Sequence, residues 1–127
     1  MSSTMRASGQ ITDQPISGIG SGQPTTTIPL DETVALSDSS MTSAYNLTVD
    51  GPVNVDFGTL DGANVIFIKT IGGRVVVRLT SAAGTTQAVP VDSILFLICT
   101  SEPITAIDLE RVAGQDTRVN VALGQAA

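Results

Sequence analysis

Asn64-Val65-Ile66-Phe67-Ile68-Lys69-Thr70-Ile71-Gly72-Gly73-Arg74-Val75-Val76-Val77-Arg78-Leu79-Thr80 decides the fold class. Both halves are rich in β-branched residues, whose stiff side chains favour a pleated, half-buried backbone over a helix. In the second half Val75, Val77 and Leu79 alternate with Arg74, Val76, Arg78 and Thr80, the period of two that gives a strand one buried face. Two such runs around a Gly-Gly pair predict a β-hairpin turning at Gly72-Gly73.

The pattern repeats on either side. Short apolar segments separated by turn residues every eight to twelve positions, as in a sandwich or barrel, run from residue 30 onward. Upstream, residues 33–36 and 45–49 are expected strands, the second with Tyr45, Leu47 and Val49 on one face. Asp50-Gly51-Pro52 is a turn, residues 53–57 point Val53, Val55 and Phe57 inward, and Asp61-Gly62 closes the next loop. Downstream, Ala82-Ala83-Gly84 turns into residues 85–89, ended by Pro90. Residues 93–99 are an unbroken apolar run too short for a helix, which predicts a central strand covered on both faces. One face belongs to the core, and the other to a second layer, an arm or another subunit; Leu95, Leu97 and Cys99 are the candidate subunit contacts. Residues 104–112, a turn at Gly114-Gln115-Asp116 and residues 117–123 complete the pattern, with Val119, Val121 and Leu123 inward. The expected fold is all-β, an antiparallel β-sandwich or jelly-roll-like barrel of about eight short strands spanning residues 30–124. An N-terminal arm, residues 1–29, precedes it and a short frayed tail, residues 125–127, follows.

The arm differs in kind. It is dominated by Ser, Thr, Gly, Gln and Pro with no sustained period, and Pro15, Pro24 and Pro29 disfavour helix or central strand. Either it is flexible or it is an extended segment that orders on a neighbouring subunit, with Ile11, Ile16, Ile19 and Ile28 as anchors for shallow pockets. Gly18-Ile19-Gly20-Ser21-Gly22 lacks the remaining positions of either nucleotide-binding glycine motif.

Apolar residues make up 42% of the chain and aromatics only 3%, so the core is aliphatic. With no Trp and a single Tyr, there is little to stack against sugars or unpaired bases. The net charge of −6 is concentrated in one place. Residues 62–127 hold five bases (Lys69, Arg74, Arg78, Arg111, Arg118) against five acids (Asp92, Glu102, Asp108, Glu110, Asp116), while Asp31, Glu32, Asp38, Asp50, Asp56 and Asp61 have no base among them. Such a stretch repels phosphate backbones and sets nucleic acid aside as a partner. It is a solvated face or a docking face for a basic partner. Arg74 and Arg78 on one strand face, and Asp31, Glu32 and Asp38 in the acidic stretch, are the corresponding candidates for charged contacts between subunits.

The chain offers little to catalyse with. It contains no histidine, so the usual general base near neutral pH is missing, and Cys99, the single cysteine, has no imidazole to activate it. Zinc wants four Cys or His ligands, and the acids lack the spacing of a calcium loop. No catalytic, metal or cofactor site is expected. The first residues lack the apolar core of a secretory signal, which implies synthesis in the cytoplasm, and no apolar run approaches the length of about 20 residues that spans a bilayer.

Residues 30–124 resemble the small β-sandwich structural proteins of tailed bacteriophages, such as capsid decoration or cement proteins with jelly-roll-like domains. The resemblance rests on the order of features: an arm, the strand Ala44-Tyr45-Asn46-Leu47-Thr48-Val49, the strand Arg74-Val75-Val76-Val77-Arg78-Leu79, the turn Val89-Pro90-Val91-Asp92, then Ile104-Thr105-Ala106-Ile107-Asp108-Leu109 and Thr117-Arg118-Val119-Asn120-Val121-Ala122-Leu123-Gly124. It implies a non-enzymatic virion protein that forms a homo-oligomer, with three copies favoured, and contacts the major capsid protein or other virion subunits, partly through its arm. A tail-associated subunit (collar, fibre base or tip) and a cellular ligand-binding sandwich are the alternatives.

Overall fold

The computed structural model describes residues 3–13 and 26–126, with side chains for Thr4, Arg6, Ser8, Asp31 and residues 41–126. These residues form nine strands and no helix: β1 (Ser3–Asp13), β2 (Thr26–Leu47), β3 (Val53–Asn54), β4 (Val65–Ile71), β5 (Val75–Ser81), β6 (Thr86–Val91), β7 (Ile94–Ile98), β8 (Ile104–Arg111) and β9 (Thr117–Ala126). They make two antiparallel sheets, one ordered β1-β2-β9-β4-β7 and the other β3-β8-β5-β6. The fold is an all-β sandwich.

The core lies between the sheets and follows the period-two pattern. Ile66 and Ile68 of β4, and Val119, Val121 and Leu123 of β9, meet Val75, Val77 and Leu79 of β5 and Ile107 and Leu109 of β8. At roughly 1.5–3 kcal/mol for each large aliphatic side chain fully buried, this layer is the main source of stability. Val55 stays buried, its N–H donating to the Ile107 carbonyl at 2.8 Å, and Val53 and Phe57 pack on the core, although β3 itself ends at Asn54. Beyond it the Asp56 carboxylate accepts the Gly58 N–H at 2.8 Å and the Tyr45 hydroxyl accepts the Asp56 N–H at 3.0 Å, so side chains take over from the ladder.

Several expectations from the sequence are corrected. The Gly72-Gly73 pair does not turn a hairpin. β4 pairs with β7 and β9 whereas β5 pairs with β6 and β8, so the chain crosses from one sheet to the other at this point. Each run has an apolar face to bury, and placing them on facing sheets buries both in one core. The glycines suit the crossing: Gly72 has φ +102°, and a Cβ on Gly73 would stand 2.8 Å from the side chains of Gln115 and Thr117. The run in β7 is not central but forms the edge of its sheet. Val49 is 71% exposed, because β2 ends at Leu47. Residues 33–36 and 45–49 are not separate strands, since β2 runs through the first and into the second as far as Leu47, with an irregularity between Leu36 and Ser40. Nor do Gln125 and Ala126 of the expected tail fray: β9 continues through Ala126, and of the tail Ala127 alone lies outside the described residues.

The segment read as an arm contributes β1, and the boundary at residue 30 falls inside β2. Residues 3–13 pair with 36–26, and β9 joins β2 only from Leu36 onward. The first part of β2 and β1 therefore form a two-stranded ribbon that continues past the rest of the sheet.

One buried polar residue ties three strands together. The Asn64 side chain donates to the Cys99 carbonyl at 2.9 Å and accepts the Ala126 N–H at 2.9 Å, while its backbone N–H donates to Gly124 and its carbonyl accepts from Cys99, both at 2.8 Å. Replacing Asn64 with Leu strands the Ala126 N–H and the Cys99 carbonyl without partners. N64L is expected to destabilise the protein by about 1–3 kcal/mol, read as a lower urea midpoint at unchanged slope.

Candidate interaction surface

The strand registers show what faces away from the core. On the outer face of the five-stranded sheet Phe67 lies beside Phe96 on one side and Ala122 on the other, with Thr42 next to Ala122. The row above has Ile94, Lys69, Asn120 and Ala44; the row below has Ile98, Val65 and Gly124. Phe67 and Phe96 meet edge to face, ring centroids 6.3 Å apart, the geometry their quadrupoles favour. Ile94 and Ile71 are 57% and 48% exposed on this same face. Val65 is buried yet stands outside the inter-sheet core. An open hollow of about 390 Å³ lies beside the ring of Phe67, lined also by Thr42, Ala44, Asn120 and Ala122. Contiguous apolar surface of this kind marks contact with another molecule more often than it occurs by chance.

The sequence placed the β7 contacts on the wrong parity. Leu95, Leu97 and Cys99 face inward and pack on the core, half-buried because their strand is at the edge. Leu97 also borders an open groove with Leu79, Gln87, Glu102 and Ile104. The outward residues are Ile94, Phe96 and Ile98. A run apolar at every position carries no alternation to tell its faces apart; the signal lay in β4, where Lys69 and Ile71 had to share the solvent side with Phe67. Burial pushes the Cys99 thiol pKa up, and its Sγ lies 3.7 Å from the Ala63 carbonyl, so the thiol stays protonated at neutral pH.

The charged candidates find partners within the chain. Arg74 makes a two-pronged contact with Asp92 at 2.9 and 3.2 Å, Arg78 meets Glu110 at 2.8 Å, and Arg6 meets Asp31 at 2.9 Å. Arg111, whose side chain is only 8% exposed, reaches Asp50 at 2.9 Å and Asp116 at 2.7 Å, supplying from a distant strand a base for the acidic stretch. The side chains of Glu32 and Asp38 lie outside the described residues. So do Ile16 and Ile19, whereas Ile11 and Ile28 are register partners across the β1–β2 ribbon. Among the described residues no group of three Cys, Asp or Glu is placed to hold a metal ion.

No protein-family model matches the chain, and no curated protein or solved structure is detectably similar to it.

Two of the ion pairs set a pH dependence. The Gly114 N–H, helped by Arg111, holds the Asp50 carboxyl below the usual aspartate value, and the Arg74 guanidinium does the same for Asp92. A depressed native pKa contributes stability that is complete above the unfolded value of about 3.9 and lost as pH falls through the native values. The urea midpoint is expected to hold steady from pH 7 to about 5 and to fall below about 4, with a shallower fall in D50N and D92N.

Proposed function

We propose that this chain is a non-enzymatic structural subunit of a virion, a capsid decoration or cement protein that binds the outer surface of a phage head. The observation that carries the reading is the apolar outer face of the five-stranded sheet around Phe67 and Phe96, on a scaffold where Arg6, Arg74, Arg78 and Arg111 are each paired with an acid of the same chain. An enzyme concentrates unpaired polar groups in a cleft. Here the hollow beside Phe67 is open and mostly apolar, suited to a flat protein partner rather than an enclosed small molecule.

The β1–β2 ribbon supports the same reading. Its 11 paired residues extend about 36 Å at the usual rise of strands, enough to reach across a neighbouring subunit. In this reading the protein, synthesised in the host cytoplasm, joins the virion as a homo-oligomer. The Phe67 face and the ribbon meet the major capsid protein.

The test is binding to expanded heads of the phage that encodes the chain, prepared without it. The wild-type protein is expected to saturate the heads, and F67K to bind at least about tenfold more weakly, as befits a central apolar anchor. R78Q, on the outer face of the other sheet, should change binding less than about twofold. Heads that ignore the wild-type protein, or bind F67K as well as wild type, would contradict the proposal.

A further inference from the structure

β7 combines three properties that no other described strand shares. It is an edge, pairing only with β4 among the described residues. Its backbone is unprotected. Ser93 accepts from Thr70 and Cys99 donates to Asn64, so the groups of odd-numbered residues point toward β4 while the N–H and C=O of Ile94, Phe96 and Ile98 point to the open side. Its sequence Ile94-Leu95-Phe96-Leu97-Ile98 contains no charge, no proline and no bulge, and reads the same in both directions.

The second sheet shows what a guarded edge looks like. Ser81 donates to Thr85 in the β5–β6 turn, which by the same alternation directs Thr86, Ala88 and Pro90 of β6 to the open side. Proline has no N–H to offer there, and this is a common way to blunt an edge. At the opposite end of that sheet β3 is only two residues long. β7 has neither defence.

We propose that two copies of this chain associate by antiparallel pairing of β7 with the same strand of a second copy, about a two-fold axis through Phe96. The palindrome makes the pairing self-complementary. Phe96 meets the partner's Phe96, Ile94 meets the partner's Ile98, and Leu95 meets the partner's Leu97. Every open-side residue then faces another open-side residue, so three pairs with two bonds each give about six N–H···O bonds. No charged side chain within β7 is set against its like. The two five-stranded sheets become one continuous sheet, and the outer faces carrying Phe67 and Phe96 join across the axis. At one hydrogen bond per 100–200 Å², six bonds correspond to roughly 600–1,200 Å² of interface, below the standard size for stable complexes. The contact is therefore a weak one in free solution and strengthens where copies are held side by side. This deepens the homo-oligomer part of the reading above and replaces the three-fold that the family resemblance implies with a two-fold.

The test is sizing of the full chain by light scattering, from micromolar concentrations to on the order of 1 mM. The wild-type protein is expected to pass from monomer to dimer. F96K sets two cations opposite each other at the axis, about 5.5 Å apart between Cα atoms, and should weaken the dimer at least about tenfold. I94K, at a position 57% exposed and so tolerant of the change, should also weaken it. The I94K/I98E double variant should recover the dimer, because each new cation then faces the partner's new anion, and this comparison stands even if F96K folds poorly. A wild-type protein that stays monomeric or forms trimers would overturn the proposal, as would a double variant no tighter than I94K. A dimer with this mutational pattern that nonetheless ignores phage heads would keep the edge contact and remove the decoration role.

Discussion

A strand has two faces, and a single core can cover only one of them. Most strands of this sandwich respect that limit: β5, β8 and β9 turn Val, Ile and Leu inward and set Arg78, Asp108, Glu110, Arg118 and Asn120 outward. β4 and β7 do not. Their inner residues, Ile66, Ile68, Leu95 and Leu97, already serve the core, and apart from Lys69 and the buried Val65 their outer residues, Phe67, Ile71, Ile94, Phe96 and Ile98, are apolar and reach the surface. The surplus cannot be folded away inside one copy of the described domain. It is collected on adjacent strands at one edge, and the functional reading follows from that placement.

Backbone satisfaction shapes the rest. Where ladders stop, side chains take over: Asp56 and Tyr45 beyond β3, and Asn64 where β4, β7 and β9 converge. Arg111 plays the comparable electrostatic part, holding Asp50 from the loop after β2 and Asp116 from the loop before β9. With the other ion pairs exposed and individually weak, packing carries the stability and charge fixes loop geometry. The edge of β6 is closed by Pro90, whereas the edge of β7 is left open.

The sandwich was legible wherever polar and apolar residues alternate. Val75 to Leu79, Ile107 to Leu109 and Val119 to Leu123 face the core as their period requires. What periodicity does not encode is which strand pairs with which. Gly72-Gly73 has the chemistry of a tight hairpin, yet the same freedom serves a crossing between sheets, and only the non-local pairing of β4 with β9 and β5 with β8 distinguishes them. The run from Ile94 to Ile98 reads as two-faced and so as a strand in the middle of a sheet; without alternation it encodes neither its edge position nor its inward parity. Asn64 and Arg111 escaped notice because their roles depend on residues far along the chain.

The most direct measurement is amide hydrogen exchange across Ile94 to Ile98, residue by residue, in dilute and concentrated protein. In dilute solution the amides of Leu95 and Leu97, bonded to β4, should be protected while those of Ile94, Phe96 and Ile98 exchange rapidly; at high concentration all five should be protected. Uniform protection in dilute protein, or unchanged rapid exchange of the three open-side amides in concentrated protein, would contradict an open β7 edge that closes on a second copy.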